Sequence, residues 1–556
     1  MLISENISVS QVAIVGGGPV GLMLALFLDL YGIRSIIFNL DELTRLHPKG
    51  NTHSARTMEH YRRLGISQSI RDLGLPKEFP LDIAYFTKLN AWELARIDMP
   101  SEMEKMSRVQ NAAATDSVPE PILRVNQTYV EKFLLQHASS RPNITIRYGW
   151  RVKDFVQYKD EIKLYAEHIE GKYFDEVWHA TYMIGCDGGQ SFVRSKLGIA
   201  YGGTVEAKTG FLTGGMISSY IRVPGIYRGL LQDKAAWMYN IISPMLRMLF
   251  ISLDGKDDFL FVTQSKLGQT IDDAELIRIA QVGIGTDMEV SVLGNSLWKG
   301  GVALVAERFS DGRIYLAGDS AHLFAPTGGF GMNTGIDDTS NLAWKIAASI
   351  NGWAGNGLMD SYESERRPIA LRNTSAARFL TQRVSALSIP ENLENADSAG
   401  DLARQKLGAE LKTFRSQFSS IGVELGARYD NSPHIINSAS IPDDDFLNYQ
   451  PSNVPGGRLP HLWITPVPGA RISLFDILGT GFNLLRVGEY LTDVSELLDQ
   501  AYQRKIPMKV IDLPGYDAWQ LYQARLLLVR PDQYIAWKGD KVPDNAGSIL
   551  DRIIGK

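Results

Sequence analysis

The stretch "VAIVGGGPVGLMLALFLDLYGIRSIIFN", residues 12–39, constrains this chain more than any other. Val12 to Val15 are apolar and largely β-branched, the pattern of a strand buried on both faces. Gly16, Gly18 and Gly21 follow in G-x-G-x-x-G spacing. The first glycine permits a tight turn, the second lets backbone approach a pyrophosphate, and the third lets a helix lie close on the strand. Leu22, Ala25, Leu26 and Asp29 continue at helical spacing, and Gly32 can end the helix. Ser35 to Phe38 form a second strand. The unit reads as βαβ with amide donors at the helix N-terminus, so a dinucleotide is the expected ligand. Asn39 stands where an acidic residue for a ribose hydroxyl is expected. An amide still hydrogen-bonds a hydroxyl, without charge assistance. This unit alone therefore does not choose between FAD and NAD(P).

At 556 residues the chain is too long for one core, and about three or four units are expected. Its 44% apolar and 21% charged composition is that of a globular protein. The net charge of −5 comes with no long block of either sign, so no nucleic-acid partner is expected. Cys186 is the single cysteine. It allows no intrachain disulfide and no cysteine-based metal cluster, and it fits a reducing compartment. No metal is expected. "MLISENISVSQ" has neither a basic nor an apolar leader region. The longest apolar run, Val12 to Leu28, is glycine-rich and too short to cross a bilayer. A cytoplasmic chain without membrane contact is the expectation.

Two later motifs decide between the nucleotides. In "ATYMIGCDGGQSFVRSKLGI", residues 180–199, an apolar strand runs into Asp187-Gly188. In "RIYLAGDSAHLFAPTGGFGMNTGIDDTSNLAWKI", residues 313–346, a strand ends in Gly318-Asp319, and a Pro/Gly-rich loop leads into a helix from about Met332. Either could be an ordinary strand-to-turn junction. Their joint occurrence after G-x-G-x-x-G resembles the single-component FAD-dependent aromatic hydroxylases, of the para-hydroxybenzoate hydroxylase and phenol hydroxylase type. "SYESERRP", residues 361–368, matches the segment that follows in that family.

The resemblance implies FAD as cofactor and a set of residues around it. Gly16, Gly18, Pro19, Gly21 and Asn39 belong to the ADP fingerprint. Asp187 sits in the Asp-Gly motif, and Asp319 is placed on the ribityl chain. Pro326, Gly331, Met332 and Asn333 line the loop and helix start beside the flavin. A helix N-terminus there suits the anionic edge of reduced flavin. In "HPKGNTHSARTMEHYRRLGI", Lys49 replaces a common flavin-contacting arginine, keeping charge but losing the bidentate fork. In "ILRVNQTYVEKFLLQHA", Gln127 is expected near FAD, and Arg124 is read as either a cofactor contact or a surface ion pair.

The implied cycle uses NADH or NADPH and O2 to hydroxylate a phenolic or related aromatic substrate through a flavin C4a-hydroperoxide. The protein must orient the reactants and exclude water. Relatives carry a base five residues before Arg56, where this chain has Asn51. His53 lies on the same face of an extended segment, and its titration range suits phenol activation. It is the candidate base, with a locally bonded histidine as the alternative. Pro326 is a candidate wall of the active site. Trp237, Met238 and Tyr239 are candidates for the substrate pocket, against plain sheet core. His322 reads as structural.

The expected fold is α/β: a Rossmann-like FAD-binding domain, a β-sheet substrate domain and a C-terminal thioredoxin-like domain. The first is assigned residues 1–80, 105–200 and 300–385, and the second residues 82–104 and 205–298. Residues 386–402 read as a linker. "RVQNAAATDSVPEP", residues 108–121, reads as a mobile loop. Residues 403–556 resemble the thioredoxin-like tail of phenol and polyketide hydroxylases, but they hold no cysteine and cannot run dithiol chemistry. Packing, dimer contact and lid support are the uses left to this tail, and a homodimer is the one expected. The alternatives kept open are epoxidation, Baeyer–Villiger insertion or oxidative decarboxylation of a larger polyketide-like substrate, and a non-catalytic flavin-binding partner protein.

Overall fold

A computed structural model of the chain describes residues 7–44, 47–205, 211–265, 271–437, 439–467 and 470–556. The first six residues of the stretch read for a leader, and 206–210 of the β-rich middle, lie outside the described residues.

An eight-stranded sheet forms the centre. Five of its strands run parallel, in the order Ile314–Leu316, Glu176–Gly185, Ile7–Val15, Ser35–Asn39 and Ile144–Tyr148. Val15 pairs with both Gly185 and Phe38, and Gly185 pairs with Leu316. Four strands widely spaced in sequence therefore end side by side at one edge. The helix Pro19–Leu30 returns across the sheet with Leu22 to Leu28 buried. Each fully buried aliphatic side chain of this kind contributes about 1.5–3 kcal/mol.

A seven-stranded sheet stands against this centre, in the order Ser291–Lys299, Gly215–Arg222, Asp258–Gln264, Arg247–Ser252, Met238–Ile242, Ile83–Phe86 and Glu93–Ile97. Its two faces separate by strand alternation. Tyr85, Trp237, Met238 and Leu260 join the face that meets Val384, Leu387 and Leu411. Ala84, Tyr239, Ile241 and Phe261 join the other, which is covered by the helix Asp273–Ile284. Tyr239 is wholly buried there, and its hydroxyl accepts the Ala236 amide at 2.7 Å. The pocket expected at Trp237 to Tyr239 is thus divided: Trp237 and Met238 face the body of the molecule, and Tyr239 faces away from it.

The C-terminal four-stranded sheet has the order Met508–Leu513, Phe482–Val487, Leu526–Val529, Ile535–Gly539. Its first pair is parallel and the other two pairs are antiparallel. Leu484, Leu526 and Leu528 pack on Trp344 and Ile369, which belong to two long helices, Phe330–Ile350 and Gly357–Ser385.

Two readings of connecting segments change. Residues 386–402 are not a bare tether: Leu393 is wholly buried, and a helix already begins at Ser398. That helix, Ser398–Lys412, packs through Leu407 and Leu411 into the cluster of the seven-stranded sheet, not onto the C-terminal sheet. Residues 109–117 are docked instead of loose. Arg471 donates to the carbonyls of Val109, Gln110, Ala112 and Ala113. Trp463 donates its amide to Ala114 at 2.8 Å, the His461 ring meets the Asp116 carbonyl, and Arg458 donates to Ser117. The acceptors are main-chain carbonyls, which every residue carries, so composition alone does not distinguish this docked segment from a solvated loop.

Candidate active site

The site assembles at the shared edge of the parallel strands. Gly16 adopts φ +112°, and a Cβ there would lie 2.2 Å from the Cys186 carbonyl oxygen, so only glycine fits between these two strand ends. A Cβ on Gly21 would lie 2.0 Å from the Gly16 oxygen, which presses the helix onto the turn. Gly18 differs: a Cβ there would meet nothing within 4 Å. It is the N-cap of the Pro19–Leu30 helix and supplies no capping side chain. Open space beside helix-start amides is what a pyrophosphate needs.

The side chain of Asn39 is engaged locally. Its Oδ1 accepts the Gly17 amide at 3.0 Å, and its Nδ2 donates to the Asp41 carbonyl at 3.0 Å. The Tyr148 hydroxyl donates to the Gly17 carbonyl. Asn39 therefore braces the glycine turn.

At the second strand end, Asp187 is half-buried and accepts from the Ser191 hydroxyl and, at 3.0 Å, from the Val193 amide. Burial raises its carboxyl above the usual range, against the lowering effect of these donors. It braces the start of the short helix Phe192–Lys196, whose N-cap is Ser191.

At the third, Asp319 is exposed among buried neighbours. Gly318 before it donates its amide to Asp338 at 3.1 Å. A Cβ on Gly335 would lie 2.8 Å from the Gly318 Cα, so the Phe330–Ile350 helix lies directly behind this tip.

The loop into that helix turns at Pro326 to Gly329. Pro326 is exposed, and its carbonyl accepts the Gly329 amide at 3.3 Å. Gly329 is the helix N-cap, with φ +67° and no capping side chain, and no acidic residue stands in the first turn. Gly331 and Met332 are half-buried. Asn333 accepts the Ser54 amide at 2.9 Å and donates to the carbonyls of Thr52 and Gly329 at 3.0 and 2.6 Å. It ties the 47–54 segment to the helix start. Gln127 adds a second tie, its amide donating to the Gly50 carbonyl at 2.8 Å while its side chain donates to Glu131 at 2.5 Å. Lys49 is exposed on this segment.

Arg124 is neither exposed nor in a surface ion pair. Its guanidinium lies 4.3 Å from the Trp237 ring centroid and donates to the Thr52 hydroxyl and the Phe418 carbonyl. Burial pulls it down to about 10. It joins the 47–54 segment to the seven-stranded sheet.

His53 is enclosed. Its ring is wholly buried, Nδ1 lies 3.0 Å from the Tyr61 hydroxyl, and burial holds the ring down to about 3. A neutral ring sealed in the core has no route to a substrate proton, and that enclosure works against the base role. Asn51 is also tied up, accepting from Asn126 at 2.7 Å. The residue the sequence reading passed over is His47. Its Nε2 lies 2.9 Å from the Ser218 hydroxyl, and it is half-buried. Ser218 lies in the same cross-strand row as Val262, Leu249, Asn240 and Tyr85. No local signal in the sequence marks that meeting.

A buried ionic chain, also unforeseen, backs the site. Arg366 donates to Asp338 at 2.8 Å and to Asp337 at 2.5 Å. Asp337 meets the rings and donors of His60 and Arg56 at 2.9 and 3.4 Å. Arg56 reaches Gln533 and the Asp532 carbonyl, both at 2.8 Å. Arg458 closes on Glu59, both side chains fully enclosed. Burial disfavours the Asp337 charge, but Arg366 and its neighbours outweigh it and hold the carboxyl well below its usual range. His322 joins through Asp338 at 2.7 Å, the structural role expected of it.

The geometry fits FAD: open space and unclaimed helix starts for phosphate and an electron-rich ring edge, with an exposed carboxylate at a strand tip for polyol hydroxyls. Comparison with known proteins agrees. The family described as "FAD binding domain" matches residues 9–377, and that described as "Aromatic-ring hydroxylase, C-terminal" matches residues 452–556. The FAD-dependent monooxygenase apdD of Emericella nidulans is 32% identical over 586 residues, which cover 100% of this chain and 91% of that protein. Phenol 2-monooxygenase of a Pseudomonas species is 26% identical, covering 99% of this chain and 93% of the relative. The solved structure of the rebeccamycin biosynthetic enzyme RebC with reduced flavin superposes with a TM-score of 0.88 at 30% identity, over 99% of this chain and 100% of that one. With two thirds of its length matched by the first family and most of the rest by the second, the chain belongs to the FAD-dependent monooxygenases of the aromatic-ring hydroxylase type.

Proposed function

We propose that this monooxygenase hydroxylates a phenolic or related aromatic compound, with NADH or NADPH as reductant and O2 as oxidant. The observation that carries the reading is the convergence of the Val15, Gly185 and Leu316 strand ends, in register, beside the Pro326–Gly329 turn. FAD, when bound, supplies electron storage and oxygen activation. The chain's residues hold and shield. In this reading Gly16, Gly18, Pro19 and Gly21 receive the pyrophosphate, Asp319 the ribityl hydroxyls, and the amides of Gly331 to Asn333 the ring edge. Asn39, Asp187, Gln127 and Asn333 act by fixing the loops that make those contacts. Lys49 supplies positive charge near the entrance.

The substrate lies against the inner face of the seven-stranded sheet, walled by Pro326 and by Trp237 with Arg124 stacked on it. His47, not His53, is the ring that reaches this face, so we assign it the contact with the substrate hydroxyl. Burial and the Lys49 charge lower its titration, which keeps it neutral and able to accept a proton near neutral pH.

Among the described residues no helix is long and apolar enough to cross a membrane. A cytoplasmic homodimer is the companion expectation, and the exposed Tyr490, Tyr502 and Tyr516 of the C-terminal unit offer surface for such a contact. We also read that unit as thioredoxin-like; its β-α-β-α-β-β-α order supports this.

The test is to load the purified chain with FAD and follow NADH and NADPH oxidation with a panel of phenols and aromatic acids. Stimulation by an aromatic compound, with a product heavier by one oxygen, is expected. Oxidation indifferent to every aromatic compound removes the reading.

A further inference from the structure

In the C-terminal sheet, the strands Leu526–Val529 and Ile535–Gly539 are joined by a turn of Arg530, Pro531, Asp532 and Gln533. Such residues suit a solvated turn, yet all four are buried, Gln533 to 3% exposure. Gln533 also adopts φ +70°, a left-handed conformation that glycine enters freely and a residue with a Cβ resists. Lys505 and Gln523 share that conformation, but both are exposed at helix ends. An unfavourable backbone of this kind persists only where its surroundings hold it. The Gln533 amide donates to the Arg530 carbonyl at 2.9 Å, and its carbonyl accepts the Leu459 amide at 2.9 Å. Glycine would make both bonds. The third bond needs a side chain: the Gln533 Oε1 accepts the Arg56 guanidinium at 2.8 Å.

The turn sits between two helices whose starts meet at the candidate site. Asp532 bridges them, its carbonyl accepting Arg56 of the Ala55–Arg63 helix at 2.8 Å and its carboxylate accepting Asn341 of the Phe330–Ile350 helix at 3.2 Å. Nearer the site the same two helices are tied by Ser54, the N-cap of the first, whose amide meets Asn333 at 2.9 Å. Asn333 and Asn341 are eight residues apart on one helix, about 12 Å. Two cross-links therefore fix the helix pair, and the remoter one is supplied by the C-terminal unit.

We propose that Gln533 is a positioning residue for the flavin: through Arg56 it sets how the 47–54 segment stands against the start of the Phe330–Ile350 helix. This rests on the placement of FAD proposed above and gives the C-terminal unit a part in it.

The test compares the parent, Gln533→Gly, Gln533→Asn, Arg56→Lys and the double variant Arg56→Lys, Gln533→Gly as full chains. FAD affinity is read from fluorescence released on diluting the loaded chain, and the flavin midpoint potential and the apoprotein melt are measured beside it. Gln533→Gly should raise the FAD dissociation constant about fivefold, the scale of one hydrogen bond to a charged group. The melting temperature should stay within a few degrees, because glycine relieves the backbone and Arg56 keeps Glu59 at 2.9 Å and Asp337 at 3.4 Å. A displaced helix start holds a negatively charged reduced ring less well, so the potential should fall. Asparagine tolerates the left-handed region but is one methylene shorter, so Gln533→Asn should behave like Gln533→Gly. The double variant should bind FAD no more weakly than Arg56→Lys alone. Parent affinity or parent potential in the folded Gln533 variants overturns the proposal, as do losses that add to that of Arg56→Lys. Absence of soluble protein in both Gln533 variants assigns the turn to folding alone and overturns it too. A parent chain that takes up no FAD removes the placement beneath it as well.

Discussion

The carboxylate of Asp338 accepts the backbone amide of Gly318 at 3.1 Å, one residue before the exposed Asp319. The strand tip that presents Asp319 is thus held from behind by a buried acid, itself gripped by Arg366 and His322.

Asp319 and Asp338 should separate by readout. Asp319→Ala is expected to weaken FAD binding about tenfold with little change in melting temperature, because its side chain is exposed. Asp338→Ala leaves Arg366 buried without one of its partners, a loss of about 3–5 kcal/mol, and should lower flavin content and melting temperature together. Flavin absorbance against protein, with thermal melts of the apoprotein, checks both. Normal flavin content in Asp319→Ala would remove the ribityl assignment.

Gly18→Ala should fold normally, since its Cβ enters open space. A change within about 1 kcal/mol is expected for this N-cap position. The methyl group occupies the volume assigned to the pyrophosphate, so the FAD dissociation constant should rise tenfold or more. Gly16→Ala is the contrast, because its Cβ would strike the Cys186 carbonyl at 2.2 Å, and soluble protein itself should be lost. Unchanged FAD affinity in Gly18→Ala would place the phosphates elsewhere.

The pair Glu59 and Arg458 joins residues 399 positions apart. Arg458→Met leaves Glu59 buried with Arg56, 2.9 Å away, as its remaining ionic partner, and should cost up to about 3–5 kcal/mol. The double variant Glu59→Gln, Arg458→Met should recover a large part of that. Denaturant titration of the four proteins gives the coupling, and strict additivity would show that the two side chains act independently.

His53 and His47 should part in pH behaviour. Burial takes His53 from 6.5 down to about 3. The unfolded chain therefore takes up the proton first as pH falls. Its contribution is intact above pH 6.5 and is lost progressively between about 6.5 and 3, up to roughly 5 kcal/mol. His53→Gln should flatten that acid limb without altering turnover per bound flavin. His47→Gln should slow substrate-stimulated turnover severalfold at normal flavin content. Denaturation at pH 5 and 7.5, with turnover of both variants, decides; slowed turnover in His53→Gln alone would restore it as the base.

Much of the frame was legible because strand ends announce themselves locally. Val12 to Gly16, Ile184 to Gly188 and Ile314 to Asp319 each show an apolar run breaking into glycine, the last two with an aspartate beside it, and the structure sets all three on one edge. What those side chains do was less legible. Asn39 and Asp187 look like ligand contacts in sequence, yet each spends its hydrogen bonds on a neighbouring turn or helix. The sheet defeated the reading by one residue: Met238 and Tyr239 are adjacent but point to opposite faces, and register is not written in a single strand. Arg366 and Glu59 were invisible as a network because their partners come from remote segments. His47 escaped notice for the same reason.

The grip of Arg471, His461, Trp463 and Arg458 on residues 109–117 falls on main-chain oxygens. Every residue type carries that oxygen. Over evolutionary time the segment can exchange almost all its side chains and keep its course, while the four residues that hold it are not free to drift. Variation among homologues should therefore be lopsided across this seam, and the blander side is the one that must be read from its partner.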